Sequence, residues 1–398
     1  MMHDDITADA PAERRPPAIL QVLPRLVTGG VERGTVELAQ ALVAPGWRAV
    51  VASAGGPMVR EIERAGGVHV ALPLASKNPF VMRANIARLE RVIAQHGIDI
   101  VHARSRAPAW SALAAARRRG AHFVTTFHNA YGARTWLKRR YNAVMARGER
   151  VIAISDFVAR HVHDTYGVPW EKIITIPRGV DLVRFDPDHT SADRMIRLAT
   201  EWGLPDGVPV VMLPGRLARW KGHRVLIEAL RRLGRGALHC LIVGSGSERY
   251  RAELERDVAK NPPRCTVRVH DECRDIAAAY MLADVVVSPS TDPEGFGRVI
   301  VEAQAMGRPV IATAHGGAAE TVIDGETGLL VPPGDADALA AALAEAMDLP
   351  PAARLALAER AIAHIRQNFT VERMTSSTIA VYEDVLGIAA RVDDPVAA

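Results

Sequence analysis

This 398-residue chain has only three cysteines, Cys240, Cys265 and Cys273, an odd number without metal-ligand spacing. It therefore reads as a protein of a reducing compartment, with a core large enough to need no staples. No apolar run approaches the roughly 18 residues that a spanning helix needs. Residues 1–17 are acidic, then rich in proline and arginine, and contain no apolar stretch. They read as a disordered tail and not as a secretory signal. Two common nucleotide signatures are missing. No full G-x-G-x-x-G follows a first strand, which argues against a dinucleotide oxidoreductase, and no Gly-x-x-x-x-Gly-Lys-Ser/Thr loop supports a P-loop ATPase.

What is present is the composition of a globular enzyme of two to three domains, 48% hydrophobic and 24% charged. The net charge of +4 is unevenly spread: residues 1–190 carry 26 Lys+Arg against 17 Asp+Glu, and residues 191–398 carry 23 against 28. Within 102–150 there are 11 basic residues and a single acid, Glu149. That concentration points to an anionic partner for the first half: a membrane surface, a nucleic acid or an acidic substrate.

Short β-branched runs alternate with helical stretches of 10–15 residues, the pattern of a parallel, doubly wound α/β sheet. Strands are predicted at 19–23, 48–52, 68–72, 98–102, 122–126, 151–154 and 173–176. The rhythm breaks over 177–209, which reads as an interdomain link, and restarts with strands at 208–213, 238–243, 266–269, 284–288 and 309–312. Helices are predicted at 335–347, 351–367 and 371–386. The chain thus divides into a domain at 18–190, a second Rossmann-like domain at 191–369, and a last helix near 370–388.

The chain is organised around Asp292-Pro293-Glu294-Gly295-Phe296-Gly297-Arg298-Val299-Ile300-Val301-Glu302. A strand arrives before it and a helix leaves it at about Gly297. A turn at the carboxyl end of a parallel strand is where open α/β sheets bind ligands, and a helix start suits phosphate. The four-residue spacing of Arg298 and Glu302 equally fits a surface ion pair. Other turns share this rim position. Gly29-Gly30, Gly215-Arg216 with Lys221, and Gly244-Ser245-Gly246 offer backbone N–H groups or cations to an anion, or are plain tight turns. His128 follows an apolar strand and is a candidate for substrate contact or proton handling, or a solvated histidine. His102, Arg104 and Arg106 form a similar rim turn. The clusters Arg117-Arg118-Arg119 and Lys138-Arg139-Arg140, the latter beside Trp136 and Leu137, are candidate acceptor or membrane contacts or solvated helix faces.

Together these residues resemble the retaining glycosyltransferases of family 4, which have the GT-B fold of two facing Rossmann-like domains. Glu294 and Glu302, eight positions apart, match the family's E-x7-E motif. Gly29-Gly30-Val31-Glu32, Ala153-Ile154-Ser155, Gly215-Arg216 with Lys221-Gly222, Gly244-Ser245-Gly246, and a run from Gly307-Arg308-Pro309 through Glu320 to Gly328-Leu329-Leu330-Val331 match in order over about 18–386. The context of His102 to Arg106 and of Thr125 to Asn129 is similar to transferases of lipopolysaccharide core.

The resemblance implies a nucleotide-diphosphate sugar in the second domain, of GDP-mannose or UDP-glucose type, and an acceptor in the first. It implies that Glu302 receives the ribose hydroxyls and Glu294 those of the sugar, near Gly295, Phe296, Gly297 and Arg298. Arg216 and Lys221 would hold the diphosphate beside Gly215, Gly244 and Gly246. Gly29 and Gly30 would approach it from the first domain, with His128 near the sugar and the last helix crossing back to the first domain. The implied activity is a retaining hexosyl transfer, with no cofactor and no metal, to an anionic glycolipid or lipopolysaccharide core at the cytoplasmic face of the inner membrane. None of the second-domain rim turns singled out above contains Asp-x-Asp. Other readings are a nucleotide-sugar epimerase of the same fold or a catalytically silent glycolipid scaffold. A nucleic-acid binder has no recognition motif to support it.

Overall fold

The computed structural model describes residues 15–388 apart from residues 28, 133–134 and 272. Two parallel sheets account for all thirteen named strands. The first holds β1 (Ala18–Val22), β2 (Arg48–Ser53), β3 (Val68–Ala71), β4 (Ile100–Ala103), β5 (His122–Phe127), β6 (Arg150–Ala153) and β7 (Ile173–Thr175), in the order β3-β2-β1-β4-β5-β6-β7. The second holds β8 (Val210–Pro214), β9 (His239–Val243), β10 (Thr266–His270), β11 (Val285–Ser288), β12 (Val310–Thr313) and β13 (Leu329–Val331), in the order β10-β9-β8-β11-β12-β13. The central strands are apolar runs, broken only by Gln21, because helices cover both faces: Ala18–Val22 and Val210–Pro214 are buried at every position. The expected α/β architecture is the observed one, and only the short strand β13 escaped the pattern.

Each sheet reverses its order once, between β1 and β4 in the first and between β8 and β11 in the second. A crevice opens at such a reversal, at the carboxyl ends of the strands. The rim turns singled out in the sequence are the connections leaving those strands. Gly29-Gly30 follows β1, His102 to Arg106 follows β4, Gly215 to Lys221 follows β8, and Glu294 follows β11.

The last helix, Val371–Leu386, returns to the first domain. Its Met374, Val381 and Tyr382 share one face and join the first domain's core. Thr370 caps its start by accepting from the Arg373 N–H at 3.1 Å. A Cβ at Gly179 would lie 2.4 Å from the Thr370 carbonyl oxygen, so the crossing needs glycine there. Between the sheets the chain makes one helix, Ala192–Trp202, which Arg194 ties to Asp275 of the second domain.

The expected N-terminal tail meets the structure in part. Arg15 forks onto Asp99, and the Pro17 carbonyl accepts from the Arg48 N–H, so 15–17 are ordered against the first sheet. The rest of the expected tail lies outside the described residues. Among those described, no helix is long and apolar enough to cross a membrane.

Candidate active site

Strand β11 ends at Ser288, and the loop after it turns Glu294 inward. The Glu294 carboxylate takes two hydrogen bonds of 2.8 Å from Lys221 Nζ, and its Oε1 also accepts from Ser288 Oγ at 3.3 Å and from Ser290 Oγ. Both charged side chains are only 10% exposed. Burial pushes the Glu294 pKa up, but the Lys221 charge and the three donors outweigh that and hold it below the ordinary carboxylate value. Lys221 reaches this position because the short turn Arg219–Lys221 ends in Gly222 with φ +74°, where a Cβ would collide with the Pro289 carbonyl at 1.8 Å. The residues assigned separately to diphosphate and sugar are therefore one buried ion pair.

Eight residues on, Glu302 lies inside the helix Arg298–Ala305, and it is buried too. Its Oε1 accepts from Arg298 Nη2 at 3.0 Å and its Oε2 from the Tyr280 hydroxyl at 3.0 Å. The sequence suggested the Arg298–Glu302 pair as an exposed one; the structure buries Glu302 and half-buries Arg298. Arg298 continues across the cleft: a Cβ on Gly30 of the first domain would lie 3.2 Å from its Cδ. Its pKa is lowered by burial, but Glu302 and Glu37 more than reverse this, so it stays a firm cation.

The glycines serve different ends. Gly297, with φ +86°, begins the Arg298–Ala305 helix, and a Cβ there would meet Ile300 and Ala318 within 3.0 Å. Gly295 lets the loop touch the first domain, since a Cβ would lie 2.8 Å from the His128 carbonyl oxygen. Gly244 and Gly246 are occupied by their own domain: Cβ atoms would lie 2.1 Å from the Gly215 and 2.4 Å from the Leu217 carbonyl oxygens. Their bareness joins the two rim turns. The Phe296 ring is buried edge-on against Phe369, 5.7 Å between centroids, so a donor could meet this residue only through its backbone. Arg216 is exposed at the rim.

On the facing side, Gly29 and Gly30 open the helix Gly30–Val43. A Cβ at Gly29 would strike the Glu32 carboxylate, whose pKa burial raises. His128 sits just past β5, and burial followed by the charges of Arg178 and Arg104 pushes its pKa well down, so the ring is neutral. Its Nδ1 is 3.3 Å from Arg178 Nη1, and its buried Nε2 has no partner among the described residues. Arg104 is buried beside Arg178, and its Nε is likewise without a described partner.

His102 requires correction. It lies within β4, fully buried, with Nδ1 2.5 Å from the Tyr382 hydroxyl and Nε2 2.7 Å from Thr126 Oγ1. Both ring nitrogens are occupied, so it ties the last helix to the sheet and presents nothing to an acceptor. Arg106 stacks on Tyr131 at 4.2 Å and donates to Asn142. The two basic clusters do not share a surface. Arg117, Arg118 and Arg119 end the helix Arg106–Arg119, just before β5 begins and so away from the cleft, and Arg118 pairs with Glu90. Lys138, Arg139 and Arg140 lie on the exposed helix Trp136–Asn142 after β5, beside Trp136 and Leu137, which are 69% and 62% exposed.

Sequence reading missed Tyr280, Arg178 and Ser290. Arg178 carried a usable signal, since it follows the last strand of the first sheet at the same rim. Tyr280 carried none, because it enters from the middle of the helix Ile276–Leu282.

Residues 28–184 match the family described as Glycosyltransferase Family 4, and residues 197–364 the one described as Glycosyl transferases group 1. The chain is 33% identical over 290 residues to a D-inositol 3-phosphate glycosyltransferase of Xylanimonas cellulosilytica, a match covering 66% of this chain and 67% of that one. It is 32% identical over 276 residues to a GDP-mannose-dependent alpha-(1-6)-phosphatidylinositol monomannoside mannosyltransferase of Mycolicibacterium smegmatis, covering 65% and 70%. The solved structure of a glycosyltransferase from Rickettsia africae superposes with a TM-score of 0.86 at 36% identity, covering 94% of this chain and 99% of that one. Two more distant structures share the fold. One is Anabaena HepE in complex with UDP-glucose (TM-score 0.81, 23% identity, 92% and 99% covered). The other is WaaG, a glycosyltransferase involved in lipopolysaccharide biosynthesis (0.73, 18%, 91% and 99%).

Proposed function

Since this chain belongs to the GT-B glycosyltransferases of family 4 and group 1, we propose that it moves a hexose from a nucleotide-diphosphate sugar to an anionic glycolipid acceptor of the cell envelope, with retention of configuration and without a metal or cofactor. The observation that carries this reading is the buried Lys221–Glu294 pair at the strand reversal of the second sheet. Burying an ion pair is costly and a well-packed apolar pair would serve stability better, so its place at the ligand rim favours a chemical role. Glu294 takes hydroxyls of the transferring sugar. Lys221 has three donors, of which Glu294 uses two, and the third faces the diphosphate with Arg216. Glu302 receives the ribose hydroxyls, its carboxylate held by Tyr280 and Arg298.

Breaking the glycosyl–phosphate bond leaves negative charge on the diphosphate and an oxocarbenium-like sugar. Preorganised cations and the N–H groups of Gly295 to Gly297 stabilise the former. The acceptor attacks on the face the leaving group departs from, and a phosphate oxygen takes its proton. Contact between Gly295 and the His128 loop keeps water from the donor. The mannosyltransferase relative, whose name specifies GDP-mannose and a phosphatidylinositol glycolipid, supports a phosphate-bearing lipid acceptor. HepE's UDP-glucose keeps glucose in the set, and WaaG's part in lipopolysaccharide biosynthesis supports core oligosaccharide as the alternative acceptor. The exposed helix Trp136–Asn142, with three cations beside Trp136 and Leu137, supports docking to an anionic lipid surface.

The test is release of nucleoside diphosphate from GDP-mannose and UDP-glucose with membrane extract as acceptor. Release of one of them is expected. No release from any sugar donor, with or without acceptor, would leave the catalytically silent scaffold.

A further inference from the structure

We propose that Arg178 is a positioning residue for His128: by donating its Nη1–H to Nδ1, it commits the ring to the tautomer protonated on Nε2, making His128 a hydrogen-bond donor into the cleft and not a proton acceptor. The inference deepens the glycosyl-transfer reading and rests on it for the identity of what His128 faces, the transferring sugar.

A guanidinium has only donors, so at 3.3 Å the Nδ1 of His128 must present its lone pair. The single proton of a neutral ring is then on Nε2. Among the described residues, nothing around the ring offers it a second proton or stabilises one. Burial disfavours an imidazolium there, and so do the groups facing it, Arg178 after β7, Arg104 just after β4 and His102 within β4. From its own loop the Tyr131 hydroxyl meets its backbone N–H. The acids Glu32 and Glu37 act on Arg178 and do not contact the ring.

Arg178 is also unable to swing away. Its Nη2 donates to the Gly30 carbonyl, and its guanidinium lies where a side chain at Gly34 would be: a Cβ there would come within 2.8 Å of Nη2 and 3.0 Å of Cζ. A glycine in the middle of the helix Gly30–Val43 weakens that helix, and the seat it leaves for the guanidinium is the compensation. The other end of the imidazole is equally informative. Nε2 is enclosed and has no described partner. A buried N–H without an acceptor is rare in folded proteins, and this one becomes satisfied when a hydroxyl oxygen of the sugar enters. The acceptor's proton, in this arrangement, cannot go to His128 and goes to the leaving phosphate.

The full-length protein labelled with 15N-histidine gives the direct test, with the His128 signal identified by its loss in His128→Gln. The expected spectrum is the Nε2–H tautomer, unchanged from about pH 6 to about pH 8. A ring protonated on Nδ1, or one that titrates to the imidazolium in that range, would overturn the proposal. In the transfer assay, an amide at the Nε2 position substitutes for the donor. His128→Gln should therefore keep roughly tenfold more kcat than His128→Asn, whose amide mimics Nδ1. Arg178→Met should lower kcat about tenfold or more, with the donor KM within about twofold, and Arg178→Lys should restore part of it. An Arg178→Met enzyme with full kcat, or equal Gln and Asn variants, would count against it. If Arg178→Met does not fold, the wild-type spectrum still decides. That spectrum needs no substrate, so a failure to find transfer from any donor would sink the glycosyl-transfer reading without touching the tautomer.

Discussion

Lys221 and Glu294 depend on each other in a way that single substitutions obscure. Lys221→Met leaves a carboxylate buried and unpaired, a change that costs about 3–5 kcal/mol of stability. The double variant Lys221→Met/Glu294→Gln removes both charges and should recover most of that stability. It should not recover turnover, which is expected to fall at least about a hundredfold in both variants. A double variant that transfers sugar at a near-normal rate would reduce the pair to a structural one. Beside it, buried His223 supplies a pH dependence of stability. Burial, and then the Lys221 charge, lower its pKa from 6.5 to about 4. The unfolded chain thus takes up a proton first as pH falls. The stability contributed by the neutral ring is complete above about pH 6.5 and is lost progressively down to about pH 4, by about 3 kcal/mol in all. Urea unfolding midpoints should show this slope, and His223→Gln should flatten it; the same slope in that variant would exclude His223 as its source.

At the scale of elements, strand ends and helix ends sort the basic residues. A helix that follows a parallel strand runs back to the sheet's amino edge, so Arg117 to Arg119 finish away from the cleft although they are close in sequence to Arg104 and Arg106. The helix Trp136–Asn142 instead ends against Arg106, just past β4, which donates to Asn142 at 3.0 Å, and it exposes an indole and a leucine next to three cations. An apolar face beside basic residues suits an anionic lipid surface. Neutralising Lys138, Arg139 and Arg140 and replacing Trp136 with serine should reduce binding to phosphatidylglycerol vesicles at least about tenfold, at roughly 1 kcal/mol per cation. Neutralising Arg117, Arg118 and Arg119 should change it little. Equal losses in both sets would mean a diffuse charge effect.

For the whole molecule, the interdomain contact has a definite latch. Glu320 of the second domain accepts from the N–H groups of Asp156 at 2.8 Å and Phe157 at 2.6 Å, capping a first-domain helix, Asp156–Tyr166, whose own cap is Ser155. Ser155 Oγ in turn donates to the Gly295 carbonyl at 2.7 Å. A carboxylate at a helix start is favourable by the dipole as well as by the bonds. Glu320→Ala should free the domains to open, which a larger radius of gyration in small-angle scattering and faster amide exchange at Asp156 and Phe157 would report. Unchanged scattering and exchange would show that the remaining contacts, the Ser155–Gly295 hydrogen bond among them, hold the closure without Glu320.

The alternation of apolar strands with helices, the rim position of the turns after β1, β4, β8 and β11, and the eight-residue offset of Glu294 and Glu302 were all legible in the residues, because they follow from local periodicity and from chain order. So was the return of the last helix, given the resemblance. The tertiary structure alone decided what those side chains meet. That Lys221 answers Glu294 across 73 positions, that Tyr280 and Arg298 share Glu302, and that His102 belongs to Tyr382 rather than to a ligand are consequences of distant segments packing together. Hydrogen bonds and ion pairs are short-ranged in space and indifferent to separation along the chain. A sequence pattern can therefore bring a residue to the rim, but the partner that sets its charge, tautomer and role is chosen only when the two sheets and the last helix close around it.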